Sequence, residues 1–276
     1  MLQNLFFFAL AYYFKKNDQK LGLKFLLNQL DHSFIPDDFH NWFLENKNDL
    51  ISVIKKWSED QIQVTYPSCW DYPEVFLDKL DDPPLLLFYK GTPIWKNKNC
   101  ISVVGSRKMT EQSKKWIESE LYLFLKYSKS VLVSGGAIGI DQESHLQSLR
   151  LSLPTIVVIP SGLSNVYPQV LGSWMTSVIS KGGVFLSEYF PDQEMRTFHF
   201  VQRNRLIAAL GNSVLIIQGE KRSGTLMTAK LALKIGQPLG VLPAHPSDQM
   251  CSGNLEVMRW GGSVISDHKD LQILNQ

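Results

Sequence analysis

The sequence predicts an α/β fold: a Rossmann-like, doubly wound, mostly parallel sheet preceded by a small N-terminal helical domain. Three observations predict it. From Ile101 onward, short runs rich in β-branched residues alternate with helical segments. Before residue 65, apolar residues recur at helical spacing instead. Between the two lies a stretch broken by Pro67, Pro73, Pro83, Pro84 and Pro93. Strands alternating with helices imply βαβ units and a parallel sheet covered on both faces. Right-handed crossovers then wind the sheet in both directions.

Residues 1–65 form the helical domain, with three or four short helices expected. Leu23, Leu26, Leu27 and Leu30 give one apolar pattern, and Trp42, Phe43, Leu50, Ile51, Ile54 and Trp57 a second and third. Asp31, Ser33 and Pro36-Asp37-Asp38 supply turn and cap chemistry between them. The apolar run Leu5–Phe14 lacks a basic leader and a small-residue cleavage site, and it is shorter than the ~20 residues a membrane span needs. It is expected to be a buried first helix. Residues 66–97 read as a Pro-rich linker that lays one strand, Leu85–Tyr89, against the next domain. Residues 98–276 form the Rossmann-like domain. Its strands are expected at Ile101–Val104, Val131–Val133, Thr155–Ile159, Val184–Leu186, Val214–Ile217 and Leu239–Leu242, and its helices near 110–127, 141–150, 169–180, 203–210 and 225–235.

Apolar residues make up 44% of the chain and charged residues 20%, which excludes disorder and permits a packed core. Cys69, Cys100 and Cys251 stand far apart, with neither zinc nor disulfide spacing, and are read as free thiols of a cytoplasmic protein. The histidines do not cluster at ligand spacing, so no metal site and no cofactor are expected. Charge is uneven. Residues 1–95 carry nine basic and thirteen acidic side chains, net −4, and residues 96–276 nineteen and thirteen, net +6. An anionic partner would meet the second region.

Ligands of such sheets bind beyond the carboxyl ends of the strands, so the loops after the strands are the informative ones. After the first comes Gly105-Ser106-Arg107: a turn glycine, a hydroxyl and a guanidinium suited to bidentate phosphate binding. After the second comes Ser134-Gly135-Gly136-Ala137-Ile138-Gly139-Ile140-Asp141, whose glycines would leave amides open to an anion at a helix N-terminus. Its G-G-x-x-G spacing is neither the dinucleotide G-x-G-x-x-G nor a Walker loop. Asp141 reads as an N-cap, and His145 either meets a phosphate or is structural. Tyr167-Pro168 offers an aromatic to stack on a base, or a rigid corner. Arg203 shares a helical face with Leu206, Ile207 and Leu210, toward the sheet, whereas Arg205 points elsewhere. A cation on a buried face needs a partner, here Glu188, Asp141 or a bound phosphate, and near a helix N-terminus it opposes the dipole by ~0.3–1 kcal/mol unless an anion is present. Ser223-Gly224-Thr225 opens the next helix as a second anion cradle, with Lys221 and Arg222 beside it.

The runs Val104–Arg107, Ser134–Asp141 with His145, Ser187-Glu188, Arg203-Asn204-Arg205 with Ile207-Ala208, and Ser223–Thr225 with Thr228-Ala229 occur in the order of the DprA/Smf DNA-processing family, which the chain resembles over about 84–267. Pro84–Thr92, with Phe88-Tyr89-Lys90-Gly91, resembles that family's lead-in to its Rossmann domain. The resemblance implies a non-enzymatic cytoplasmic homodimer that binds and protects single-stranded DNA and helps load RecA recombinase in natural transformation, with no membrane partner. It implies Gly105, Ser106, Arg107, Ser134, Gly135, Gly136, Gly139, Arg203, Asn204, Gly224 and Thr225 as nucleic-acid-binding residues. The chain departs from the family pattern at Gln169, where a lysine is usual after Tyr167-Pro168, at Val201 in place of proline, and at Ile138 in place of a polar residue. It ends soon after Asp267, so the C-terminal winged-helix domain of many members is expected to be missing.

Two other readings use the same fold. In a phosphoribohydrolase-like nucleotide-processing enzyme, a glutamate follows the Gly-Thr pair. Here Gly224-Thr225 leads to Thr228 at that place, which removes the general acid/base. A nucleotide-sensing or protein-interaction module would keep the fold and lose DNA binding.

Overall fold

A computed structural model describes residues 2–27, 35–96 and 99–275. Its centre is a nine-stranded sheet: β1 Gln63–Thr65, β2 Leu87–Gly91, β3 Cys100–Val104, β4 Val131–Ser134, β5 Thr155–Val158, β6 Val184–Ser187, β7 Ser213–Ile216, β8 Leu239–Val241 and β9 Ser263–Val264. The strand order is β1-β2-β6-β5-β4-β3-β7-β8-β9. All pairs from β6 to β9 are parallel, while β1 and β2 join antiparallel at one edge. The expected α/β class and mostly parallel sheet are therefore present, and each of the six expected strands lies within one residue of its predicted bounds.

The strands alternate their side chains between two buried faces, as the pleat requires. Val131, Val133, Ile156, Val158, Val214 and Ile216 meet α9 (Thr197–Leu210) and α10 (Gly224–Lys234) on one side. Ile101, Val103, Leu132 and Leu215 meet the helix from Glu111 to Ser128 and α7 (Ile140–Arg150) on the other. That long helix consists of α5 (Glu111–Trp116) and α6 (Tyr122–Ser128) joined through one π turn, Ile117–Leu121.

The N-terminal region contributes α1 (Leu2–Asn17), α2 (Gln19–Leu26) and α3 (Asp37–Glu59). Phe8, Leu10 and Phe14 bury the apolar stripe of α1 as expected. The second and third apolar patterns are one helix of 23 residues. The polar run Glu45–Asp49 between them contains no breaker, so the helix continues through it. Leu30, Asp31 and Ser33 lie outside the described residues. Phe8, Phe25 and Trp57 share one core with Leu85, Phe88, Val157 and Phe185, so these helices pack on the same sheet face as α8 (Val170–Ser180).

The linker strand is shifted by two residues from expectation. It ends at Gly91, where φ is 117° and a Cβ would fall on the Gly183 carbonyl, so only glycine closes this β2–β6 approach. The two- and three-residue edge strands β1 and β9 escaped prediction because no period-2 pattern can show in so few residues. α4 (Val75–Lys79), α11 (Ser252–Arg259) and α12 (His268–Leu274) were likewise unforeseen. Among the described residues, no helix is long and apolar enough to cross a membrane.

Candidate nucleic-acid interface

The chain lays β3 to β6 in one direction and then returns to place β7 to β9 on the other side of β3. The loops after β3 and β7 therefore part, and a cleft of about 270 Å³ opens at this topological switch point. The β3 loop supplies Gly105, Ser106 and Arg107, α9 supplies Phe200, Arg203 and Asn204, and the start of α10 supplies Ser223, Gly224 and Thr225. Seven of the eleven residues implied by the resemblance thus line one cavity. Gly135 lines an adjoining hollow with Arg107, Ile138, Tyr167, Pro168 and Phe200.

Ser134 and Gly136 do not reach the surface. Ser134 is fully buried and its hydroxyl donates to the Val103 carbonyl at 2.6 Å, which ties β4 to β3. Gly136 is buried against Leu171 and Val157. Gly139 holds the β3 and β4 loops together. Its φ is 93°, and a Cβ there would stand 2.5 Å from the Ser106 carbonyl oxygen and 2.6 Å from that of Arg107. Gly139→Ala is expected to destabilise the fold by about 1–3 kcal/mol and to displace the loop that carries Arg107. A lowered thermal midpoint with weakened oligonucleotide binding checks this, and an unchanged midpoint contradicts it.

The first expected anion cradle is already filled. Asp141 is the second residue of α7, and Gly139, not Asp141, is the N-cap. The Asp141 carboxylate accepts from the Ala137 amide at 3.4 Å and from the Gly105 amide, so it occupies the place a phosphate would take. Burial pushes its pKa up, while the Arg203 guanidinium and these amides pull it back. His145 is structural. It is buried, its Nδ1 bonds Thr155 Oγ1 at 2.7 Å, and burial pushes its pKa down to about 3, so it is neutral near pH 7.

Arg203 faces the sheet as its spacing predicts, but its surroundings differ from the expectation. α9 begins at Thr197, so Arg203 sits in the second turn and the terminal-dipole argument does not apply. Its Nη1 donates to the Gly135 carbonyl at 2.7 Å and to that of Val158, and its Nε to Asn204 Oδ1 at 3.1 Å. Burial lowers its pKa to about 10, with Asp141 opposing, so it stays charged. Glu188 is not its partner. Glu188 takes both oxygens' bonds from Arg205 Nη2 at 2.8 Å, and Arg205 Nε also reaches Asp82 at 3.1 Å.

Arg107 is the exposed cation of the site. Its guanidinium lies 4.7 Å from the Phe200 ring centroid, and Tyr167 meets that ring edge-on at 5.8 Å. Tyr167 precedes a cis peptide bond to Pro168 and is part-exposed, so it is both corner and surface ring. The second cradle is open. Ser223 caps α10 by accepting from the Leu226 amide, and Gly224 and Thr225 carry first-turn amides that have no intrahelical acceptor. Asn204 Nδ2 reaches the Gly224 carbonyl at 3.5 Å and links the two helices across the cleft. Buried Asn254 fixes the start of the β7 loop by accepting from the Gly219 amide and donating to Ile217 and Leu242. Phe200, with Tyr167 and Phe198 one of the aromatics expected to stack on bases, lies in the site, whereas no spacing signal marks Asn254.

A family model described as DNA recombination-mediator protein A matches residues 63–275. The chain belongs to the DNA recombination-mediator protein A family. Relatives in that family include DNA processing protein DprA of Streptococcus pneumoniae (strain ATCC BAA-255 / R6), 32% identical over 206 residues, which span 75% of this chain and 70% of that one. DprA of Bacillus subtilis (strain 168) is 32% identical over 221 residues, 79% and 73% of the two chains. The crystal structure of S. pneumoniae DNA processing protein A superposes with a TM-score of 0.76 at 28% identity, over 96% of this chain and 91% of that one. A structure of the Helicobacter pylori protein, described for its single-stranded DNA binding mode, gives 0.66 at 31% identity over 78% and 94%. The recombination-mediator match begins at β1, well before the Gly-Ser-Arg loop, so the antiparallel edge belongs to the family's fold.

Proposed function

We propose that the chain binds single-stranded DNA along the carboxyl edge of its sheet and acts as a recombination mediator without enzymatic activity. One observation carries this: Arg107, exposed on the Phe200 ring, stands across one cleft from the open N-terminus of α10. A phosphate between them meets a guanidinium and helix amides, while Phe200 and Tyr167 offer rings to bases. Among the described residues, the carboxylate lining the cleft is Asp141, and its bonds to backbone amides support a binding role over nucleotide hydrolysis. In this reading the protein works in the cytoplasm as a homodimer, protects an incoming strand and helps load RecA in natural transformation.

Titration of labelled oligo-dT at two salt concentrations tests the reading. Affinity should fall as salt rises, with a log–log slope of about −0.7 for each phosphate neutralised. Absence of binding at low salt, or binding indifferent to salt, overturns it. Release of ribose 5-phosphate from nucleoside monophosphates would instead support the hydrolase.

A further inference from the structure

The carboxyl edge of the sheet continues past the cleft. The loops after β5 and β6 are tied into one ledge. The Gly162 amide donates to the Gln193 carbonyl at 2.8 Å, the Ser164 amide to Pro191 at 2.8 Å, and Asn165 Nδ2 to Asp192 at 2.5 Å. At the far end of this ledge Phe190 turns into the helical region, its ring centroid 5.1 Å from Tyr12, 5.5 Å from Phe88 and 6.4 Å from Trp57. A notch of about 380 Å³ opens there, lined by Tyr12, Val53, Lys56, Trp57, Phe190 and Gln193. Lys56 is exposed, and Lys15 Nζ lies 5.9 Å from the Phe190 centroid. Asp192 is the carboxylate on the rim among the described residues.

Part-buried rings beside lysines are the two components of a sequence-tolerant single-strand site, a stacking surface and a cation for the backbone. From β3 to β6 is three strand spacings, about 15 Å, and the loops after β5 and β6 are tied over the last of these. The helical region, residues 1–65, carries seven basic and eight acidic side chains, net −1, so it sets no strong field against a strand that meets Lys56. We propose that the notch is a second station for the same strand. A base rests against Tyr12 and Phe190, an adjoining phosphate meets Lys56, and the N-terminal helices thereby contribute directly to strand binding. This rests on the single-strand reading of the cleft.

Fluorescence anisotropy of the full chain with a labelled oligo-dT of about 25 nucleotides, long enough for both stations, tests it. Lys56→Glu should weaken binding about fivefold and make the salt slope shallower by about 0.7. Lys55→Glu makes the same charge change on an exposed neighbour that lines a different groove, beside Ile51 and Trp70, and should bind as wild type. Photocrosslinking of wild type with 5-iodouracil-substituted oligonucleotide should mark the peptides of Tyr12 or Phe190 as well as that of Phe200. Equal binding by Lys56→Glu and wild type, or equal weakening by both glutamate variants, overturns the second station. So do crosslinks confined to the cleft. Arg107→Ala separates the two ideas. If it weakens binding while Lys56→Glu does not, the notch alone fails. If neither variant has an effect, the single-strand reading of the cleft fails with it.

Discussion

Arg203→Met is expected to lower folding stability by about 3 kcal/mol, the cost of leaving two buried carbonyls without their donor at ~1–3 kcal/mol each. The guanidinium donates to the Gly135 and Val158 carbonyls, which cap the β4 and β5 ends, and its charge opposes the burial that pushes the Asp141 pKa up. Methionine keeps the apolar stem and removes every donor, leaving two buried carbonyls without this partner. At ~2–4 °C per kcal/mol for a domain of this size, the thermal midpoint should drop by about 10 °C. Urea unfolding followed by circular dichroism measures the change. A loss under about 1 kcal/mol would mean that the guanidinium is not the tie between these loops. Arg203→Lys should recover little, because one ammonium cannot satisfy both carbonyls and Asn204 in the same geometry.

Arg107→Ala should behave in the opposite way, with stability held and binding lost. The side chain is exposed, and its contact with Phe200 contributes only ~0.5–1 kcal/mol at such a site. A charge-assisted bond to phosphate contributes ~1.5–3 kcal/mol, so oligo-dT affinity should fall between about tenfold and a hundredfold. The salt slope should become shallower by about 0.7. Arg107→Lys should restore the slope and only part of the affinity, since an ammonium cannot bind phosphate as a fork. Binding by Arg107→Ala that matches wild type in both affinity and slope would remove this residue from the interface.

The strands of the fold were legible because β-branched runs such as Val131–Val133 and Thr155–Ile159 sit between glycine-rich turns, and local patterning sets both strand and loop. The face of Arg203 was legible for the same reason, since helical spacing relates it to Leu206, Ile207 and Leu210. Its partners were not. Gly135 and Val158 come from two other strands, and no spacing within α9 records which carbonyls a buried guanidinium will meet. The start of α9 was invisible because Arg196 stands at the N-cap, where Ser, Thr, Asp or Asn would mark it. Asp141 was misread for a subtler reason. An acidic residue behind a glycine run has the signature of a cap, and displacement by two positions turns the same carboxylate into an occupant of the loop.

That displacement bears on how a strand departs. In a phosphate cradle with empty amides, release of the ligand exposes unpaired donors, and the loop must relax or resolvate before the protein settles. Here the Asp141 carboxylate already meets the Ala137 and Gly105 amides. On the proposed reading, a strand would therefore meet a Gly-rich loop whose shape is set by the protein's own carboxylate, and its departure would ask for no rearrangement of this wall of the cleft.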